Sequence, residues 1–351
     1  MRTLLISLVA LVLILGVAPF LFSPLQPVSW EPGPNPDLTG DFEPNDRLAG
    51  VERIMVGEGI GPESVVCGED GVLYTGFEDG RVVRRLADGT VENIANTGGR
   101  PLGIKQDAAG RLVVADADKG LLAITQAGEI TVLTDSYDGE RMIFVDDLDI
   151  AADGTIWFSD ASTDHGMHQT MYNFVEGRRT GRLLSYDPAS GETTLHLDGI
   201  FFANGVALGP EEEYVLLNET GTGRVHRLWL KGPSSGQSDI FYEGLPGTPD
   251  NITFNGTDTF WIAQPSLRAA LDVNAGNLYL RRLMSLLPLS VLNAFSGSYT
   301  FVVALDLQGN VVANLQDEAI GYPNITSAIQ CGDSLYIGSL TEPAIARYAL
   351  P

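Results

Sequence analysis

Residues 146–160 read DDLDIAADGTIWFSD: a short alternating strand opening on two aspartates, an Asp-Gly turn, then a second strand with an aromatic side chain. Working outward, the same pattern recurs five more times. The copies are ESVVCGEDGVLYTG at 63–76, LGIKQDAAGRLVVAD at 102–116, NGVALGPEEEYVLLNE at 204–219, DNITFNGTDTFWIAQ at 250–264 and TSAIQCGDSLYIGS at 326–339. A third strand follows most of them, as in GRVVRRL (80–86), GLLAIT (120–125), GRLLSYD (181–187) and GRVHRLWL (223–230). Repeats of this kind at irregular spacing are the mark of a β-propeller with variable loops, and helix-period segments are nearly absent. The expectation is an all-β, six-bladed propeller over residues 51–351. VERIMV (51–56), a lone strand before the first copy, joins the last blade and covers an otherwise open edge.

The rest of the chain is consistent with that reading. Its 351 residues suit one large propeller, and 44% hydrophobic residues suffice for a core. Forty-five Asp and Glu against 21 Lys and Arg give a net charge of −24, which repels phosphate backbones and disfavours nucleic acid as a partner. Residues 3–22, TLLISLVALVLILGVAPFLF, carry no charge and are long enough to cross a bilayer. Three readings compete: a retained signal-anchor over residues 1–23, a buried helix of the globular domain, or a cleaved signal peptide, which Pro19 and Pro24 disfavour by following the small residues Ala18 and Ser23. Arg2 favours a cytoplasmic N-terminus, hence a single-pass membrane protein with its propeller on the non-cytoplasmic side. Residues 24–50, rich in Pro, Asp and Gly, read as a linker. Residues 267–298 read as a helical insertion that packs on one face of the ring, acts as a lid touching substrate or bilayer, or does both.

The first strand of each blade lines a propeller's channel, so equivalent positions form a ring. Ten residues before the second-strand anchors Leu73, Leu112, Ile156, Val215, Phe260 and Leu335 stand Glu63, Leu102, Asp146, Gly205, Asp250 and Ile325. One residue of slack in the fourth copy substitutes Asn204. Four blades thus present an oxygen-bearing side chain at one level. Such a set suits a hard divalent cation, calcium before zinc. The bland alternative is that Asp and Asn merely start strands after turns.

GPESVV, GRPLGI, FVDDLDI, GRLLSYDP, FANGVAL, RLWLKG, LPGTPDNI and LYIGS, in this order, resemble the strictosidine synthase-like family, especially its membrane-anchored branch. The wider superfamily contains gluconolactonases and paraoxonases, six-bladed propellers with a divalent ion in the channel. The resemblance implies Glu63, Asn204 and Asp250 as metal ligands, with Asn251 as an extra one. At the third-blade position the usual Asn-Asp is replaced by Asp146-Asp147, which keeps an oxygen ligand and adds charge. Two departures bear on chemistry. Leu102 stands where paraoxonase-like hydrolases have a His, and Gln330 stands where the plant condensing enzymes have a catalytic Glu. Gln transfers no proton, so amine–aldehyde condensation is disfavoured.

The expectation is therefore a calcium-dependent hydrolase of small-molecule esters or lactones, of arylesterase or lactonase type. Its cation polarises the carbonyl or activates water, and Asp147 or His165 transfers the proton. The rival reading is a non-catalytic, membrane-tethered binding propeller with a structural ion. His165 and His168 lie in the loop STDHGMHQTMYNF, either as a plain polar loop or as proton-transfer groups, and His196 and His226 read as structural. Cys67 and Cys331 occupy matching places in the first and last copies. Adjacent blades usually hold such positions too far apart to bridge, so two reduced, buried thiols are expected.

Overall fold

The structure, a computed structural model, describes residues 7, 16, 17 and 19–351. Six four-stranded antiparallel sheets succeed one another along the chain. Their innermost strands are Val65–Cys67, Pro101–Gln106, Val145–Ile150, Ala203–Leu208, Ile252–Phe254 and Ile325–Cys331. In five blades the chain runs outward through four consecutive strands. The sixth is completed by the first strand, Glu52–Ile54, pairing with Ile345–Ala349, so the ring closes with one strand from each end of the domain.

Second strands such as Leu112–Asp116, Ile156–Asp160 and Tyr214–Glu219 are buried along their whole length, because each blade is covered on both faces by its neighbours. One apolar cluster shows this directly. Tyr214, Leu216 and Val225 of the fourth blade pack against Phe260, Ile262, Phe301 and Val303 of the fifth. Outer strands such as Ile130–Thr134 are largely exposed.

The inner strands are irregular at the point that matters. Register shifts fall between Pro101 and Ile104, Val145 and Leu148, Ala203 and Val206, and Ile325 and Ala328. A bulge re-aims side chains and ends pairing locally, so these strands can turn consecutive residues toward the axis and toward the next blade. Glycine is required where neighbouring inner strands meet. A Cβ on Gly205 would lie 2.6 Å from the Asp250 carbonyl oxygen, and one on Gly103 would lie 2.7 Å from the Asp147 Cα.

The expectation of two free thiols is corrected: Cys67 and Cys331 form a disulfide, with their Cα atoms 6.4 Å apart. Both sit on inner strands, where converging blades bring backbones within bridging range, unlike the splayed outer strands. The bridge joins the first blade to the last, beside the strand exchange that closes the ring.

Four short helices lie on one face: α1 (Thr170–Glu176) in the third blade, and α2 (Ala269–Asp272), α3 (Leu278–Met284) and α4 (Leu289–Ala294) between the second and third strands of the fifth. Two buried arginines bind them to the segment that precedes the ring. The Arg281 guanidinium donates to the carbonyls of Val28, Val175, Glu176 and Ala275, and lies 4.2 Å from the Trp30 ring centroid. Arg268 donates to Gly33 and Pro34 and pairs with Asp272. Gly177 caps α1 with φ +69°, against the Trp30 ring. No helix among the described residues is long and apolar enough to cross a membrane. The anchor expected over residues 1–23 lies mostly outside the described residues.

Candidate metal centre

Glu63 and Asp250 precede their inner strands, and Asp146 and Asn204 occupy the bulges of theirs. There the ladder has not begun or is interrupted, which leaves these side chains free to converge on the axis. One carboxylate oxygen from each of Glu63, Asp146 and Asp250 lies within 4.8 Å of the others, and all three residues are buried. Asn204 joins them, its amide hydrogen-bonding the Asp250 carboxyl while its Oδ1 has no partner. Glu63 Oε2 is likewise unpartnered. Burial, and then the charge of Asp250, raises Glu63 and Asp146 well above the usual carboxylate range. Burial pushes Asp250 up to about 8, against the hydrogen bond from Asn204.

Buried oxygens without donors are costly, and converging carboxylates repel. Both problems are solved by a hard divalent cation, and the donor set contains only oxygen. The residues present fit such an ion.

Asn251, expected as an extra ligand, stands behind the cavity wall; its Nδ2 donates to Glu63 Oε1 at 3.1 Å and so orients that carboxylate, while its own buried Oδ1, like that of Asn204, has no partner. The two residues expected to transfer protons are not on the wall either. Asp147 points at the next blade, where Oδ2 accepts from the Val206 amide at 2.9 Å. Burial pushes it to about 7 against the pull of Lys105. His165 Nε2 lies 2.8 Å from Glu176 Oε2, inside the α1 loop, and it is His168 that reaches the cavity rim. Gln330 is engaged by Asn255 and by the Trp261 indole, also off the cavity wall. His196 meets Ser185, and His226 meets Glu219.

Sequence reasoning missed Arg100. It is buried, donates to the Gly61 carbonyl at 2.9 Å, and is the cation whose charge counters Glu63. Its position just before the second inner strand, at the level of the ring, was the available signal. Also missed were the ends of the second strands, which clasp the loops feeding the site. Asp116 accepts from the Arg100 amide, Glu219 from Phe201 and Gln264 from Gly247.

The carboxylates close one side of a cavity of about 420 Å³. Its walls are Leu102, Phe144, Phe202 and Leu271, with Trp30 from the preceding segment and Met171, Phe174 and Met284 from the helices. The one basic side chain besides His168 on this wall, Arg281, is spent on backbone carbonyls.

Comparison with known proteins agrees with this architecture. The strictosidine synthase profile matches residues 146–233, and that for the N-terminal part of strictosidine synthase-like proteins matches 40–85. Strictosidine synthase-like protein 6 of Arabidopsis thaliana is 36% identical over 315 residues, covering 87% of this chain and 84% of its own. The adipocyte plasma membrane-associated protein of Rattus norvegicus is 34% identical over 364 residues, covering 96% of each. Among solved structures, a gluconolactonase from Xanthomonas campestris superposes with a TM-score of 0.63 at 17% identity, covering 93% of this chain and 98% of that one. Regucalcin from Agrobacterium tumefaciens, a calcium-binding protein, gives 0.57 at 14%, covering 85% and 91%. The ordered motifs, the closed six-bladed ring and this level of identity over nearly the whole chain lead to one conclusion: the chain belongs to the strictosidine synthase-like family.

Proposed function

We propose that this protein is a divalent-cation-dependent hydrolase of uncharged esters or lactones with an apolar body. The observation that carries the reading is the convergence of Glu63, Asp146 and Asp250, with the unpartnered Asn204 oxygen, on an otherwise apolar cavity. Glu63, Asp146, Asn204 and Asp250 would hold the ion. When bound, it supplies Lewis-acid polarisation of a carbonyl. The chain's own residues do the rest. Asn251 and Arg100 orient Glu63, and the Asp147–Val206 bond holds the bulge that presents Asp146. Phe144, Phe174 and Phe202 exclude water around the ligand's apolar part. A carboxylate or phosphate substrate is disfavoured, since no free cationic side chain among the described residues faces the acidic wall.

The fold neighbours named as a gluconolactonase and as a calcium-binding protein support the class of chemistry. The Cys67–Cys331 disulfide supports an oxidising compartment, hence a propeller on the non-cytoplasmic side of a membrane. A panel of aryl and alkyl esters and lactones, assayed with chelator and with calcium restored, tests the proposal. Turnover that chelation abolishes and calcium restores is expected. Calcium binding without turnover of any substrate refutes the hydrolase and leaves a binding propeller.

A further inference from the structure

Nineteen large apolar side chains among the described residues are exposed, and twelve of them fall in residues 17–28 and 273–295. The other seven are scattered over several blades, as on any soluble surface. The two segments form one face. Ser23 and Ser285 share a hydrogen bond of 2.8 Å, Arg282 lies 5.0 Å from the Phe20 ring centroid, and Arg281 donates to Val28. Leu21, Phe22 and Phe295 are each about two-thirds exposed or more, at 69%, 70% and 68%. Leu286 and Leu287 extend the patch between α3 and α4.

The charge of this face differs from the rest of the molecule. A chain with 45 acidic residues has none before Glu31 and only Asp272 within 267–298, and that one is paired with Arg268. Arg282 has no carboxylate in ion-pair reach among the described residues, and its guanidinium lies over the Phe20 ring. Such a surface, apolar, aromatic and cleared of carboxylates, suits the lipid–water interface rather than water or an acidic partner. Phe20–Phe22, the described end of the uncharged stretch, lies at this same face.

We propose that α3, α4 and the Phe20–Phe22 segment form a bilayer-contact surface, which seats the helical side of the propeller on lipid. Phe295 is both on this surface and on the cavity wall, so the mouth opens at the membrane. That uncharged, lipid-soluble substrates enter there rests on the hydrolase reading; the contact itself does not.

The test uses the full chain reconstituted in phosphatidylcholine vesicles containing brominated lipid. Both native cysteines are in the disulfide, so single labels can be placed by Phe295→Cys and, as reference, Val132→Cys on the exposed outer strand of the second blade. Fluorescence at 295 should be quenched several-fold more than at 132. In a Leu286→Asp, Leu287→Asp background the quenching at 295 should fall toward the reference. Equal quenching at both sites overturns the proposal, as does undiminished quenching in the double variant. A label at 295 that is shielded from brominated lipid but quenched between copies assigns the face to a second molecule instead. Because no turnover is measured, failure here is separable from failure of the hydrolase reading.

Discussion

Cation binding by this protein should release protons. Three carboxylate oxygens no more than 4.8 Å apart repel, when all are ionised, by about 3–4 kcal/mol per pair at an effective dielectric near 20, roughly 10 kcal/mol for the trio. That is comparable to a whole domain's stability, about 5–15 kcal/mol. The cation-free site therefore keeps protons at neutral pH, in line with Asp250 at about 8 and with Glu63 and Asp146 raised beside it. Calorimetric titration with calcium chloride at pH 7, in two buffers of contrasting ionisation enthalpy, counts the protons displaced. Between about one and two should leave per ion, and the apparent affinity should rise roughly tenfold per pH unit for each proton displaced, levelling only where all three carboxyls are ionised. Tight calcium binding with no proton release, or with affinity unchanged between pH 6 and 9, would refute the reasoning.

The same groups set the stability of the cation-free protein. Their folded pKa values are raised, so the stability they contribute is present below about pH 4 and is lost as pH rises through about 8 for Asp250. Urea midpoints in chelator should fall from pH 5 to 8.5, and saturating calcium should remove or reverse the trend. Asp250→Ala should abolish calcium binding and turnover together, since it deletes one carboxylate of three; equal calorimetric affinity in wild type and variant sinks the assignment. Cys67→Ser should cost about 2–5 kcal/mol, because the bridge closes a loop with a sequence separation of 264, while calcium affinity stays within a few-fold of wild type. An unchanged denaturation midpoint would show that the strand exchange alone holds the ring.

What could be read from the sequence was local and periodic. Each blade writes the same strand–turn–strand pattern, because alternating burial and turn chemistry are set within about fifteen residues. Six copies therefore gave six blades, and counting back from their second strands brought Glu63, Asp146, Asn204 and Asp250 to one level. The copies also carried the ring closure, through the lone strands at 51–56 and 345–350.

Long-range geometry decided the rest. A bulge turns Asp147 away from Asp146 toward the Val206 amide, a choice made by the neighbouring blade and invisible in the doublet itself. His165 and His168 are three residues apart, yet Glu176 takes the first and the cavity rim the second, because α1 folds back across the loop. Ring closure makes the blades of Cys67 and Cys331 neighbours, but how closely their inner strands approach, 6.4 Å between Cα atoms, is set only by the packing of the folded ring. Trp30 and Arg281 belong to no repeat, and Arg100, though its register places it beside the ring, has no counterpart in the other copies, so periodicity assigns them no role. Their places follow from burying a guanidinium only where carbonyls and a ring can satisfy it, a condition met by segments that meet only in the folded chain.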